Sequence, residues 1–168
     1  MHEVPVKIYL DRLLKDCKNT ARSLALLSGP VKEKALRAMA DRLAADEEKI
    51  LAANEKDVDA VGKSFEADVI KDRMKAAVAR LRMTASDIKE MVDRLRLIAD
   101  LPDPVGTVTS RGERPDGLQV SRVRVPIGVI GVVAELSPLI TVESIALCFK
   151  SALNLVTSVS FVALRSGV

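Results

Sequence analysis

Two cysteines and one histidine are the side chains of this chain with the most reactive chemistry, and their spacing decides what they can do. Cys17 and Cys148 lie far apart, each inside an apolar helical pattern, and His2 sits beside the amino terminus. No partner falls at metal-ligand spacing from His2, so it reads as a solvated residue. The two thiols read as reduced, and Cys148 as a small buried hydrophobe. Asp46-Glu47-Glu48 offers carboxylates to a hard cation but fits the wet surface of a helix. Arg111, Arg114, Arg122 and Arg124 could attract a phosphate; as strand residues they read as solvated faces. Lys150 reads as a solvated helix end. The P-loop and the glycine-rich dinucleotide fingerprint are both missing.

The elements that must position these groups fall into two regions. The first hundred residues are helical in pattern. Leu10, Leu13, Leu14, Cys17, Ala21 and Leu24 recur at steps of three and four. Ser28-Gly29-Pro30 separates this helix from the next, with Ser28 as cap and Pro30 in the first turn. Leu36, Met39, Ala40, Leu43, Ile50 and Leu51 continue the period. Asp68 to Leu81 and Ser86 to Ala99 predict two more helices, the last with a stripe of Ile88, Met91, Val92, Leu95 and Ile98.

Pro102, Pro104 and Gly106 end the helical region. Thr107 to Val125 carries β-branched residues around a turn at Arg114-Pro115-Asp116-Gly117. Ile127 to Ala134 is a nearly unbroken apolar run, the pattern of a strand buried on both faces of a parallel sheet. Glu135 to Pro138 follows as a turn, and Thr141 to Ser151 as a helix. Strand, turn and helix in that order open a βαβ unit, and ligands of such sheets bind at the carboxyl ends of strands.

Composition narrows the function classes. The 168 residues carry 26 basic and 23 acidic side chains, a balance that gives no reason to expect a nucleic-acid partner. Without tryptophan, and with one tyrosine and three phenylalanines, no aromatic platform for bases is expected. The start has charges scattered among its apolar positions, unlike a signal peptide. The apolar stretch from Ala152 to Leu164 is broken by Asn154, Thr157, Ser158 and Ser160, and is shorter than the roughly 20 residues of a membrane span. A cytoplasmic protein is expected. From Ile127 onward only Glu135, Glu143, Lys150 and Arg165 are charged, so the back of the chain reads as a buried core that would self-associate if left open.

Five pieces carry a family resemblance: ILAANEKDVDA from Ile50, DRMKAAVARL from Asp72, LPDPVG from Leu101, RPDGLQVSRVRVPIGVIGVV from Arg114 and ALCFKS from Ala146. In this order they resemble the gamma-glutamyl phosphate reductases (glutamate-5-semialdehyde dehydrogenases) of the aldehyde dehydrogenase superfamily. The resemblance implies NADPH-dependent reduction of L-glutamyl 5-phosphate to glutamate 5-semialdehyde in proline biosynthesis. It also implies a cysteine thiolate that forms a thioester, and donors for the developing oxyanion. It places the NADP cofactor near Glu135, Ser137 and Pro138, which are the cofactor-binding candidates; no catalytic or metal-ligating residue is assigned.

Three departures stand out. Neither Cys17 nor Cys148 matches the family's nucleophile, which is expected beyond this stretch. The family's asparagine in the turn is Leu139 here, which cannot donate a hydrogen bond. From Lys150 the family reads KSGN, then a few apolar residues and RGG, whereas this chain reads KSALNLVTSVSFVALRSGV, and Arg165 does not match the family's basic position. A back-translation of Cys148 to Thr157 can place the block TGCTTTAAATC twice in tandem; with one copy removed the text reads CFKSGN. The tail is therefore expected to be frameshifted, the other reading being a divergent natural tail.

The fold expected is α/β, with N-terminal helices followed by the opening strands and helix of a Rossmann-like nucleotide-binding domain, incomplete. Residues 1–100 form its helical part, 101–151 its β-rich and βα opening, and 152–168 the divergent tail. The chain is expected to be a truncated reductase, inactive alone. The alternative is a non-catalytic helical interaction module that associates with an intact relative.

Overall fold

The computed structural model describes residues 6–63, 79, 81–135 and 138–160. Its elements run α1 (Val6–Ala25), α2 (Gly29–Ala45), α3 (Glu47–Lys63), α4 (Ala85–Asp100), β1 (Val108–Glu113), β2 (Gln119–Val123), β3 (Val129–Glu135), α5 (Pro138–Lys150) and β4 (Asn154–Ser160). The chain is α/β, as its patterning implies. The helix expected over Asp68 to Leu81 lies outside the described residues, apart from Ala79 and Leu81.

The core sits where α2, α4 and α5 meet. Leu36 and Ala40 of α2, the stripe Ile88, Met91, Val92, Leu95 and Ile98 of α4, and Ala146 of α5 form one buried cluster. Helix α4 starts with a reciprocal cap. Thr84 Oγ1 accepts from the Asp87 amide at 3.3 Å, and the Asp87 carboxylate accepts from the Thr84 amide at 2.7 Å. Ser28 occupies the cap position of α2 but caps with its carbonyl, which accepts from Val31 and Lys32; its side chain makes no cap bond. Met39, expected in the α2 stripe, is exposed, and Lys32 takes the buried position one turn before Leu36. The helical pattern expected to run on from Leu43 to Leu51 breaks at Asp46, the α2 C-cap, which pairs with Arg42 and with Lys49 of α3.

The hairpin follows the expected turn. Arg114 donates to the Leu118 carbonyl at 2.9 Å and Gly117 to the Arg114 carbonyl at 2.8 Å, with Gly117 at φ +82°. Strands β1 and β2 pair antiparallel, from Glu113 opposite Gln119 to Val108 opposite Val123, with one irregularity between Val108 and Ser110. Both strands are exposed along their length, Arg111 and Arg122 included, and Arg114 in the turn and Arg124 just after β2 are exposed as well.

Strand β3, helix α5 and strand β4 make a βαβ unit, with β3 and β4 parallel from Val129 opposite Asn154 to Glu135 opposite Ser160. Helices α1 and α5 both contact this sheet, and among the described residues they do not contact each other. The part of the tail expected only to diverge thus supplies a strand. Asn154 secures it: its amide donates to the Gly128 carbonyl at 3.0 Å, and its side chain reaches the Cys17 carbonyl at 2.5 Å and Thr20 Oγ1 at 2.9 Å on α1.

Two expectations about the back of the chain need correction. The apolar run was expected to be fully buried, but Ile127 is 80% exposed, and Val129, Ile130 and Val132 are half-buried. Among the described residues β3 has β4 as its sole neighbour. Lys150 was expected at a solvated helix end, but it is 5% exposed and its Nζ donates to the Ala99 carbonyl at 2.7 Å. The last carbonyls of α4 have no further turn to accept from, and a buried ammonium satisfies one of them.

Candidate functional site

The candidate cofactor residues fall at the junction of β3 and α5. Glu135 closes β3 opposite Ser160 of β4, and Pro138 opens α5. Proline suits a first helical turn because no amide there has an intrahelical partner. Ser137 lies outside the described residues. The backbone thus puts Glu135 and Pro138 on either side of a short connection at the carboxyl ends of two parallel strands, next to a helix N-terminus.

Leu139 has a clear physical role in this turn. With Val142 and Phe149 it packs against the cluster built by α2 and α4. This position therefore anchors the first turn of α5 by apolar contact and offers no side-chain amide to an oxyanion. Glu143, one turn further on, pairs with Arg94 of α4 at 3.3 Å, and Arg94 also reaches Glu90 at 3.6 Å.

The far end of α5 is shaped by backbone geometry. Ala152 has φ +55° and is fully buried. Leu153 donates to the Cys148 carbonyl at 2.8 Å and Ala152 to the Phe149 carbonyl at 3.0 Å. These are the two bonds of a Schellman termination, in which glycine usually holds the left-handed position. The family's KSGN text has glycine at this point; this chain carries alanine and retains the turn.

A second polar constellation, missed from sequence, fastens the LPDPVG segment. Lys32 has no solvent exposure, and its Nζ lies 2.7 Å from Asp103 Oδ1 and 2.6 Å from Oδ2. Asp103 also accepts from the Val105 amide at 3.0 Å. Burial by itself would raise the Asp103 pKa. The hydrogen bonds from Lys32 and Val105, with the charges of Lys32 and Lys150, outweigh it and hold the carboxyl below its ordinary value. Gly29 leaves room for this carboxylate, since a Cβ there would stand 3.2 Å from Asp103 Oδ2. The available signal was Lys32 itself, at the stripe position preceding Leu36.

Asn54 of α3 does similar work for the approach to α4, donating to the Leu81 carbonyl at 2.9 Å and accepting from the Met83 amide at 2.8 Å. A cleft of about 200 Å³ beside it is lined by Leu51, Val58 and Thr84 among others, away from the β3–α5 junction.

The Cys148 thiol is not set up as a nucleophile. Cys148 is buried, and burial pushes its pKa up, away from the thiolate. Cys17 is half-buried in α1, with its carbonyl engaged by Asn154. Among the described residues no group of three or more histidine, cysteine or acidic side chains is placed to hold a metal, and no helix is long and apolar enough to cross a membrane.

No family model matches the chain. Curated relatives do. It is 43% identical over 142 residues to gamma-glutamyl phosphate reductase of Salinibacter ruber, covering 84% of this chain and 31% of the relative. The enzyme of the same name from Heliobacterium modesticaldum is 40% identical over 154 residues, covering 92% of this chain and 35% of the relative. The solved structure of gamma-glutamyl phosphate reductase from Thermotoga maritima superposes with a TM-score of 0.74 at 32% identity, covering 85% of this chain and 33% of that one. The Saccharomyces cerevisiae structure gives 0.73 at 28% identity, covering 88% and 36%. Sequence and fold together relate this chain, over a stretch about a third of their length, to the gamma-glutamyl phosphate reductases.

Proposed function

We propose that this chain supplies the opening part of the NADP-binding half of a gamma-glutamyl phosphate reductase and does not turn over substrate by itself. The supporting observation is the βαβ unit, whose β3–α5 connection lies where open α/β sheets receive their ligands. The junction fits the phosphate end of a dinucleotide in architecture: parallel strand ends, a helix N-terminus, and proline where an amide is dispensable. Glu135, Ser137 and Pro138 are the residues proposed to line the cofactor's path. When bound, NADPH would supply hydride to the acyl group of L-glutamyl 5-phosphate. This chain's own contribution is to hold the cofactor. The chemistry needs an activated thiol, and the raised pKa of buried Cys148 argues against that residue as its source.

Two measurements test this reading. NADPH titrated into the isotope-labelled chain should shift the amide resonances around Glu135 and Ile140, more strongly than NADH does. The same preparation should show no phosphate-dependent NADP reduction with glutamate 5-semialdehyde while a full-length relative does. Unmoved resonances at millimolar NADPH would remove the cofactor role; turnover by the chain alone would overturn the binding-only reading.

The second reading, a non-catalytic interaction module, is favoured by one specific observation. Apolar side chains stay in water along the approach to β3.

A further inference from the structure

We propose that the cleft between α3 and the approach to α4 is a binding site for a small zwitterion with an apolar body, the chemistry of an aliphatic amino acid. The site is separate from the β3–α5 junction and independent of whether the chain holds NADP.

The floor of the cleft is apolar. Val58 of α3 is buried, and Leu51 and Met83 are half-buried against the core cluster. Two opposite charges line the same cleft, Glu55 of α3 and Arg82 just before the α4 cap, and both are exposed. Among the described residues neither side chain forms an ion pair or a hydrogen bond, with the other or with a third group.

Asn54 sets these charges against each other. It precedes Glu55 in α3, and its amide group holds the Leu81 carbonyl at 2.9 Å and the Met83 amide at 2.8 Å, the two chain neighbours of Arg82. One side chain therefore fixes the backbone of Arg82 relative to that of Glu55 before any ligand arrives, and a site built in advance loses less freedom on binding. Thr84, on the wall beside Arg82, is engaged elsewhere. Its hydroxyl and its amide both donate to the Asp87 carboxylate at 2.7 Å, within the cap of α4. Asp87 thus occupies the amino end of the helix, and Arg82 is the unpaired cation of the cleft.

An unpaired cation and an unpaired anion that do not close on each other select a ligand carrying both signs. A carboxylate matches the planar fork of Arg82, and an ammonium matches Glu55. A ligand with one charge leaves the other protein group without a partner. The floor of Leu51, Val58 and Met83 then takes a branched hydrocarbon, as small-molecule sites combine an apolar lining with a few placed polar groups. Size agrees: an apolar cavity of about 150 Å³ takes a six-carbon ring, and this open cleft of about 200 Å³ takes an aliphatic side chain with its head groups at the mouth.

The test titrates L-leucine into the full 168-residue chain and follows the Met83 methyl and Asn54 side-chain amide resonances. The expected result is a saturable shift of both, with a dissociation constant of about 1 mM. Isocaproate, which lacks the ammonium, and isoamylamine, which lacks the carboxylate, should each bind at least tenfold more weakly. Glu55→Gln and Arg82→Gln should each weaken L-leucine at least tenfold. Both side chains already face water, so the circular dichroism of the chain should not change, and the one-charge ligands test the same point on the unaltered protein. Unmoved resonances at tens of millimolar L-leucine would overturn the proposal. So would equal binding of either one-charge ligand, or L-leucine binding that both substitutions leave intact.

Discussion

Replacing Lys32 by methionine keeps the apolar stem and removes an ammonium that has no solvent exposure. Asp103 then loses its charged partner, but its side chain is 24% exposed and keeps the Val105 amide. Breaking a buried ion pair from one side costs about 3–5 kcal/mol, and partial rehydration of Asp103 brings Lys32→Met to the low end, about 3 kcal/mol. Asp103→Asn strands the ammonium instead, where no water reaches it, and should cost more, about 3–5 kcal/mol. With both changes no charge is left unpaired, and the double variant should lie within about 2 kcal/mol of the parent. The cycle should therefore show a coupling above about 2 kcal/mol. Urea unfolding followed by circular dichroism is the assay, since the chain has no tryptophan. The pH dependence adds an independent check. The folded Asp103 pKa is below its unfolded value, so the contribution is complete above about pH 4 and is lost as pH falls through the folded pKa. Lys32→Met should have a flatter acid limb. Additive single costs, or acid limbs of equal slope, would refute the account of this pair.

Four further substitutions probe other parts of the fold. Ala152→Gly relieves a left-handed alanine worth about 1–2 kcal/mol but gives up a buried methyl worth about 0.8 kcal/mol and adds chain entropy. It should stay within about 1 kcal/mol of the parent, whereas Ala146→Gly inside α5 should cost nearly 2 kcal/mol; paired thermal melts compare them. Asn154→Ala removes the bonds to Cys17 and Thr20 and should cost about 1–2 kcal/mol, with faster amide exchange concentrated in α1. Thr84→Ala opens the cap of α4 and should cost about 1 kcal/mol by denaturant unfolding.

What could be read in the sequence was local. The α4 stripe from Ile88 to Ile98 is legible because its period and burial coincide, and the hairpin because Arg114 to Gly117 has the chemistry of one kind of turn. The order of β3 and α5 was legible from an apolar run followed by a helical period, but α5 begins at Pro138, within the expected turn, and not at Thr141, because proline suits a first helical turn. Lys32 and Lys150 were illegible because their partners lie 71 and 51 residues away, and an isolated lysine in a helical pattern reads as surface. Strand β4 was hidden by the polar residues that interrupt it; the parallel pairing with β3 determines its conformation more than its own pattern does. Leu139 could be seen as a departure from the family text, but its packing against the α2–α4 cluster could not.

The bond from Asn154 to Cys17 joins residues 137 positions apart, and that separation has a consequence for synthesis. Among the described elements helix α1 leaves the ribosome first, and the strand that holds it is the last to be made. At about 5–20 residues per second the interval is roughly 7 to 27 s. For that time the face of Leu13, Cys17, Ala21 and Leu24 has no sheet to cover. The nascent chain must keep its first helix in reserve, open to chaperones and proteases, until the fourth strand emerges.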